Sequence, residues 1–327
     1  MYVFLEGTEL GHHSHMDTLL HRHPPTLLER LQSSRLLFFA RLLYSPPPVP
    51  LSQSTPHVRI VCISDTHNHQ PLLPNGDILI HAGDLTVSGT QHEIDNALSW
   101  LESQPHPHKF FIAGNHDRFL VDADIHQYIS SRFPSLTYLQ ESSAHITIHD
   151  RTLHIYGSPF TPQHGHWEFQ YPRVHPPWYS PSEKPTSDYK STQIWSRIPP
   201  LTDILITHGP PLGHLDNNIS FNLEKSAAGC YALLTALWRV RPKLHVFGHI
   251  HIARGVQLAR WDGSQKAYEE VLAKRVRWTG LLSLVWYTVR AWLWRGTRGE
   301  DGTVMVNAAS LGGFRDEKIN GAIVVDI

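Results

Sequence analysis

Residues 58–67 read VRIVCISDTH. The first seven, rich in β-branched and apolar side chains, have the pattern of a buried strand closed by a turn. The stretch ends on Asp65-Thr66-His67. In extended backbone, residues i and i+2 point the same way, so Asp65 and His67 can present two ligands to one site.

The same grammar recurs along the chain. DILIHA (77–82) runs into Gly83-Asp84, and KFFIA (109–113) into Gly114-Asn115-His116-Asp117. DILITH (203–208) closes on Thr207-His208-Gly209, and KLHVFGH (243–249) opens Gly248-His249-Ile250-His251. A helix is expected over 94–103 and another over 230–240. HITIH and TLHIY alternate around a tight turn at Asp150-Arg151, and VMVNAA (304–309) and AIVVDI (322–327) read as late strands. Pro159 to Pro200, rich in Pro, Tyr, Trp and Ser, reads as a long ordered loop.

In open α/β layers, ligands bind beyond the carboxyl ends of strands, so these five polar closures can meet at one place. The glycines before Asp84, Asn115 and His249 remove a Cβ where the backbone must turn beside a crowded centre. Two carboxylates, one amide and four imidazoles form a hard-to-borderline ligand set. That set suits Mn, Fe, Zn, Co or Mg better than copper(I) or an iron–sulfur cluster.

Composition narrows the class. With 41% hydrophobic and 17% charged residues in 327, neither a multi-span membrane protein nor a disordered chain fits. Lys+Arg is 28 against 29 for Asp+Glu, so bulk charge carries no nucleic-acid-binding signal. Of 25 histidines, five (67, 116, 208, 249, 251) fall in the closures. His81 and His245 sit inside strands and are expected to be packed, His154 in the hairpin to be half exposed. His164 and His166, on the long loop, are within possible reach of a substrate or are simply solvated. Two cysteines cannot build a disulfide framework or a four-thiolate zinc site. With no secretory pattern at the N-terminus, an intracellular, cytoplasmic protein is expected.

The ordered series D-x-H, GD, GNHD, TH and GHxH resembles the calcineurin-like metallophosphoesterase superfamily, and especially its small metallophosphoesterase-domain-containing branch. ISDTH, HAGDLT, AGNHD, THGPP and FGHIH carry the likeness, which runs from about His57 to Ile327. What it implies is an α/β, four-layer fold of two packed mixed β-sheets flanked by helices, with two divalent metal ions about 3.5–4 Å apart. One ion would take Asp65, His67, Asp84 and His251. The other would take Asp84 as a bridge, with Asn115, His208 and His249. His116 would face the leaving group, oriented by Asp117. Hydrolysis of a small phosphoester by a bridging hydroxide follows, with a phosphodiester or small nucleotide as substrate. The alternatives are a metal-binding scaffold of weak activity and a membrane-associated adaptor of the same fold.

Two segments stand outside this scheme. An N-terminal extension (1–56) holds a histidine-rich start (His12, His13, His15, His21, His23), an amphipathic helix over 26–44 and a stiff linker at Pro46–Pro50. The phosphoesterase domain (57–327) carries a Trp-rich helical insertion at 256–302, with one helix over Asp262–Arg275 and a second over Trp278–Trp294. Peripheral membrane or protein contact is expected through 274–298 and 26–44, because interfacial helices combine Trp with basic residues. Packing of the two segments on each other, and a lid over the substrate, are the competing readings of the insertion.

Overall fold

The computed structural model describes residues 26–44, 57–173, 188–217, 227–273, 278–293, 302–312 and 318–327. The N-terminal histidines, the linker Pro46–Pro50, and Lys274, Arg275, Arg277, Trp294 and Arg295 lie outside the described residues.

The first strands are β1 (Arg59–Ile63), β2 (Ile78–Ala82), β3 (His108–Ile112) and β4 (Leu136–Tyr138), all parallel, with the late strand β15 (Ile323–Asp326) antiparallel at the edge. The second sheet begins with the hairpin β5 (Ser142–Ile148) and β6 (Arg151–Ser158). It continues through β9 (Ile204–Thr207), β10 (Leu244–Phe247), β12 (Thr303–Asn307) and β11 (Gly255–Ala259), in the order β11-β12-β10-β9-β6-β5. Two small ladders complete the set, β7 (Thr161–Pro162) with β8 (Gln170–Tyr171) and β13 (Leu311–Gly312) with β14 (Lys318–Ile319). Both large sheets are mixed.

Successive strand residues face opposite sides, and that alternation builds the layers. Ile60, Cys62, Ile78 and Ile80 face inward and meet Ile155, Ile204, Ile206 and Val246 of the second sheet. Val61, Ile63, Leu79 and Phe111 face outward. They are covered by Ile94, Leu98 and Leu101 of α3 (Gln91–Glu102) and by Ile125 and Ile129 of α4 (Ile125–Arg132). On the far side, Leu205, Phe247 and Met305 pack under Ile194 and Trp195 of α5 (Asp188–Ser196) and Leu233 and Leu237 of α6 (Tyr231–Val240). Helix, sheet, sheet, helix: this is the four-layer α/β fold expected from the resemblance. Thr90 caps α3 through a capping box with Glu93, satisfying two backbone donors at the helix start.

The structure corrects several boundaries. Ile148 already pairs with Arg151, so the hairpin turn is His149-Asp150, not Asp150-Arg151. Both turn residues have positive φ (50° and 60°), as a two-residue turn between right-twisted strands requires. Pro159–Pro200 is not loop throughout, since β7, β8 and α5 lie within it. The segment 26–44 is two helices, α1 (Leu27–Ser33) and α2 (Arg35–Leu43), because Ser34 leaves the helical region and caps the second. The insertion 256–302 is not wholly helical: residues 256–259 belong to β11, paired antiparallel with β12.

Beyond β11 come α7 (Gly263–Leu272) and α8 (Trp278–Leu293). Leu37 and Ala40 of α2, Ala267, Val271 and Leu272 of α7, and Leu284 of α8 form a separate apolar cluster. The two segments outside the motif scheme therefore pack on each other. The buried carboxylate of Glu269 ties α7 to the body, accepting from Trp238 Nε1 (2.6 Å) and contacting His214 Nε2 (2.9 Å).

Candidate metal centre

All seven candidate ligands follow the carboxyl ends of strands at one end of the sandwich: Asp65 and His67 after β1, Asp84 after β2, Asn115 after β3, His208 after β9, His249 and His251 after β10. Their backbone is unusual. Asp65, His67, Asp84 and His249 have φ between +42° and +68°, a region that costs a non-glycine residue about 1–2 kcal/mol. The turns are tight because the neighbouring loops touch. A Cβ on Gly114 would collide with the backbone and carboxylate of Asp84, and one on Gly248 with the carboxylate of Asp65.

The side chains form three overlapping groups, linked through His67 and Asp84. Donor atoms of Asp65, His67 and His251 lie within 4.8 Å of one another, as do those of Asp84, His208 and His249, and those of His67, Asp84 and His116. Asp84 Oδ1 accepts the His116 backbone N–H (2.8 Å). Its Oδ2 faces His208 Nε2 at 3.2 Å and His67 Nε2 at 3.8 Å. Asp65 Oδ1 lies 3.3 Å from His251 Nε2, and both Asp65 oxygens accept the His249 N–H at 3.0 Å.

The imidazoles are oriented from behind. His67 Nδ1–H donates to the Thr86 carbonyl (3.0 Å) and His208 Nδ1–H to the Ala82 carbonyl (2.9 Å). That commitment leaves each Nε2 lone pair aimed into the centre, the arrangement in which histidine binds a metal. A lone pair on His208 Nε2 would face Asn115 Oδ1 (3.0 Å) and Asp84 Oδ2, two acceptors. Only a proton or a cation between them satisfies all three. The donor set therefore fits a divalent metal, which Asp65, His67, Asp84 and His251 on one side, or Asp84, Asn115, His208 and His249 on the other, would hold.

Burial and neighbouring charge compete at each titratable group of the centre. Burial alone would depress His208, but the Asp84 carboxylate outweighs it and lifts the group to about 9. Burial raises Asp84, yet His208 prevails and holds it at about 2. For Asp65 too, burial pushes upward and is outweighed, here by the hydrogen bond and charge of His251, which hold it below the usual carboxylate range. His249, beside the positively charged His208, is pushed by burial down to about 3.

Asp117 departs from its expected role. It does not touch the His116 ring. Its buried carboxylate accepts from Gly114 N (2.8 Å), Leu85 N (3.1 Å), Thr86 N (3.0 Å) and Thr86 Oγ1 (2.8 Å), clamping the GD loop to the GNHD loop. Burial, with the nearby Asp84 charge, pushes Asp117 up to about 7 against those donors. The His116 ring is oriented instead by the Val87 carbonyl, to which Nδ1–H donates (2.8 Å). Its face stacks on Trp167 at 4.1 Å between ring centroids. The reason is geometric: a short carboxylate reaches the backbone beneath it sooner than a side chain turned outward.

Trp167 and the Val87 carbonyl are contributions that spacing did not reveal. An aromatic within a Pro-rich loop was the one available signal. His164 comes near the centre, its ring 6.2 Å from that of His249, whereas no contact of His166 with a candidate ligand is seen among the described residues. His81 and His245 are fully buried, as expected, and His154 is on the exposed side of the hairpin.

Known proteins are similar to this chain in sequence. A family model described as calcineurin-like phosphoesterase matches residues 58–253. Human metallophosphoesterase domain-containing protein 1 is 36% identical over 245 residues, covering 65% of this chain and 69% of that protein. A UPF0046 protein of Caenorhabditis elegans is 35% identical over 230 residues, covering 64% of this chain and 76% of its own length. A protein of Emericella nidulans named probable rhamnogalacturonate lyase C is 41% identical over 323 residues, or 95% of this chain, but the chain spans only 29% of that relative. With its strand-end ligand groups and this match across more than half its length, the chain belongs to the calcineurin-like phosphoesterase family, whose members bind divalent metals.

Proposed function

We propose that the chain hydrolyses a small phosphoester, a phosphodiester or a small nucleotide, with two divalent cations sharing Asp84. The observation that carries this reading is the position of Asp84 Oδ2 between His67 Nε2 and His208 Nε2, with both imidazoles anchored through Nδ1. When bound, such ions supply an activated water at neutral pH and positive charge at the phosphoryl group. The protein's own part is to fix the donors. Asp65 and Asp84 return two negative charges to the four positive charges of two divalent ions, so the site stays attractive to phosphate oxygens.

In this reading His116 serves the leaving oxygen. Its Nδ1 is committed to Val87, so Nε2 is the nitrogen available to carry a proton to substrate. Trp167, stacked on its face and half exposed, sets an aromatic surface beside it, which favours a planar or compact leaving group.

The test is turnover of bis-p-nitrophenyl phosphate and p-nitrophenyl phosphate by the full chain with Mn²⁺. Turnover of the diester in preference to the monoester is expected. His116→Ala should keep its metal and lose turnover by on the order of 10²–10⁴-fold. Loss of metal in that variant would place His116 among the ligands. Two bound ions with no turnover of either ester would favour a binding role for the fold.

A further inference from the structure

The helix α8 is apolar on two faces, and among the described residues only one of them is covered. Leu284 is fully buried against α2 and α7, with Leu281 and Tyr287 partly covered beside it. Across the helix, Trp278 (58% exposed), Leu282 (70%), Val285, Trp286 (64%) and Val289 face solvent. At 100° per residue these five fall within an arc of about 100°, the width of a stripe that normally faces a core. Between Trp278 and Val289 the stripe runs about 16 Å along the axis. The neighbouring α2 repeats the pattern on a smaller scale, with Arg35, Phe39 and Leu42 exposed at i, i+4 and i+7.

Charge says what such a face would meet. Residues 274–298 contain Lys274, Arg275, Arg277, Arg290, Arg295 and Arg298 and no acidic residue, in a chain whose formal net charge is −1. Arg290 is exposed on α8 itself, next to the apolar stripe. A second copy of the chain would bring the same positive charges to the interface and repel. A surface that is apolar within and anionic at its rim complements both features, and tryptophan is the side chain that suits such a boundary. No described helix is long and apolar enough to cross a membrane, so the helix would lie along the surface.

We propose that the outer face of α8 docks the protein on an anionic lipid bilayer. The stripe enters the headgroup boundary and Arg290, exposed beside it, meets lipid phosphates and carboxylates. The metal centre is built from other elements, so docking and metal binding are separable.

The experiment is flotation of the full chain with phosphatidylcholine vesicles, with and without about 30% phosphatidylserine. Binding to the anionic vesicles is expected to exceed that to neutral ones by about tenfold, and to weaken severalfold as NaCl rises from about 0.1 M to about 0.5 M. Trp278→Glu/Trp286→Glu should lower anionic-vesicle binding by about tenfold or more while leaving the melting midpoint and metal content unchanged, since both side chains are exposed. Absence of binding to anionic vesicles, or binding that the double variant leaves intact, would overturn the proposal. So would a dimer by light scattering that the double variant converts to monomer without any vesicle binding, which would assign the face to a second copy.

Discussion

The metal centre and the helical flank are built by opposite rules. At the centre, polar groups are buried, four of seven candidate ligands sit in left-handed backbone, and His67 and His208 are each held by a carbonyl behind the imidazole. On the flank, apolar side chains are exposed, and among the described residues the apolar packing of α8 lies on one side of the helix. The contrast teaches where chemistry is stored. Strain and buried charge are tolerated only where many neighbouring contacts determine the geometry, and here those neighbours come from five separate strand ends.

The sharpest way to break the comparison is at Asp84, the carboxylate proposed to be shared. Asp84→Asn keeps the size of the side chain and an oxygen for the His116 N–H, but removes the charge between His67 and His208. Turnover should fall on the order of 10³-fold, about 4 kcal/mol, the scale of removing one member of a buried charged set. Metal analysis should find less than the full complement. Full metal content with normal turnover would show that Asp84 is not shared.

The corresponding test on the flank is Leu284→Ala. The residue is fully buried in the satellite cluster, and its truncation should cost about 2–5 kcal/mol locally. Hydrogen exchange should speed up in α8 and α2, with metal content unchanged. Loss of metal in this variant would mean that the two regions are one cooperative unit.

Acid tests the buried, non-ligand histidines beneath the centre. Thr207 Oγ1 donates to the Gly209 carbonyl, so His245 Nε2–H donates to Thr207 and its buried Nδ1 has no partner among the described residues. His81 is held alike by Thr66. Burial pushes both down to about 3. The folded protein thus binds fewer protons than the unfolded chain below about pH 6.5. Their contribution is fully present above that pH and is lost as pH falls toward 3, at about 2 kcal/mol for each histidine by pH 5. Urea denaturation at the two pH values measures it. Because His249 and Asp117 also titrate over this window, the comparison of wild type with His245→Gln isolates it: the variant should lose about 2 kcal/mol less between about pH 6.5 and pH 5, and an equal loss in the two proteins would contradict the neutral assignment.

Much of this was legible because the fold writes its ligands at strand ends. A β-branched run closing on Asp, Asn or His identifies strand and site together, and VRIVCISDTH shows both in ten residues. What could not be read lacks such a local signal. β4, β7 and β13 are two or three residues long, too short for a period, and β11 exists only through its pairing with β12. Asp117 grips residues 31 and 32 positions away, so its target depends on where the GD loop comes to rest. Trp167 reaches His116 from a loop whose path no periodicity describes. On α8 the amphipathic pattern was visible, but which face would be covered depended on α2, whose sequence lies more than two hundred residues earlier.

The most direct measurement is anomalous diffraction from crystals of the full chain grown with Mn²⁺. The account predicts two peaks at the strand ends, one beside Asp65, His67 and His251 and the other beside Asn115, His208 and His249, with Asp84 in contact with both. A single peak, or two peaks of which Asp84 touches only one, would contradict it.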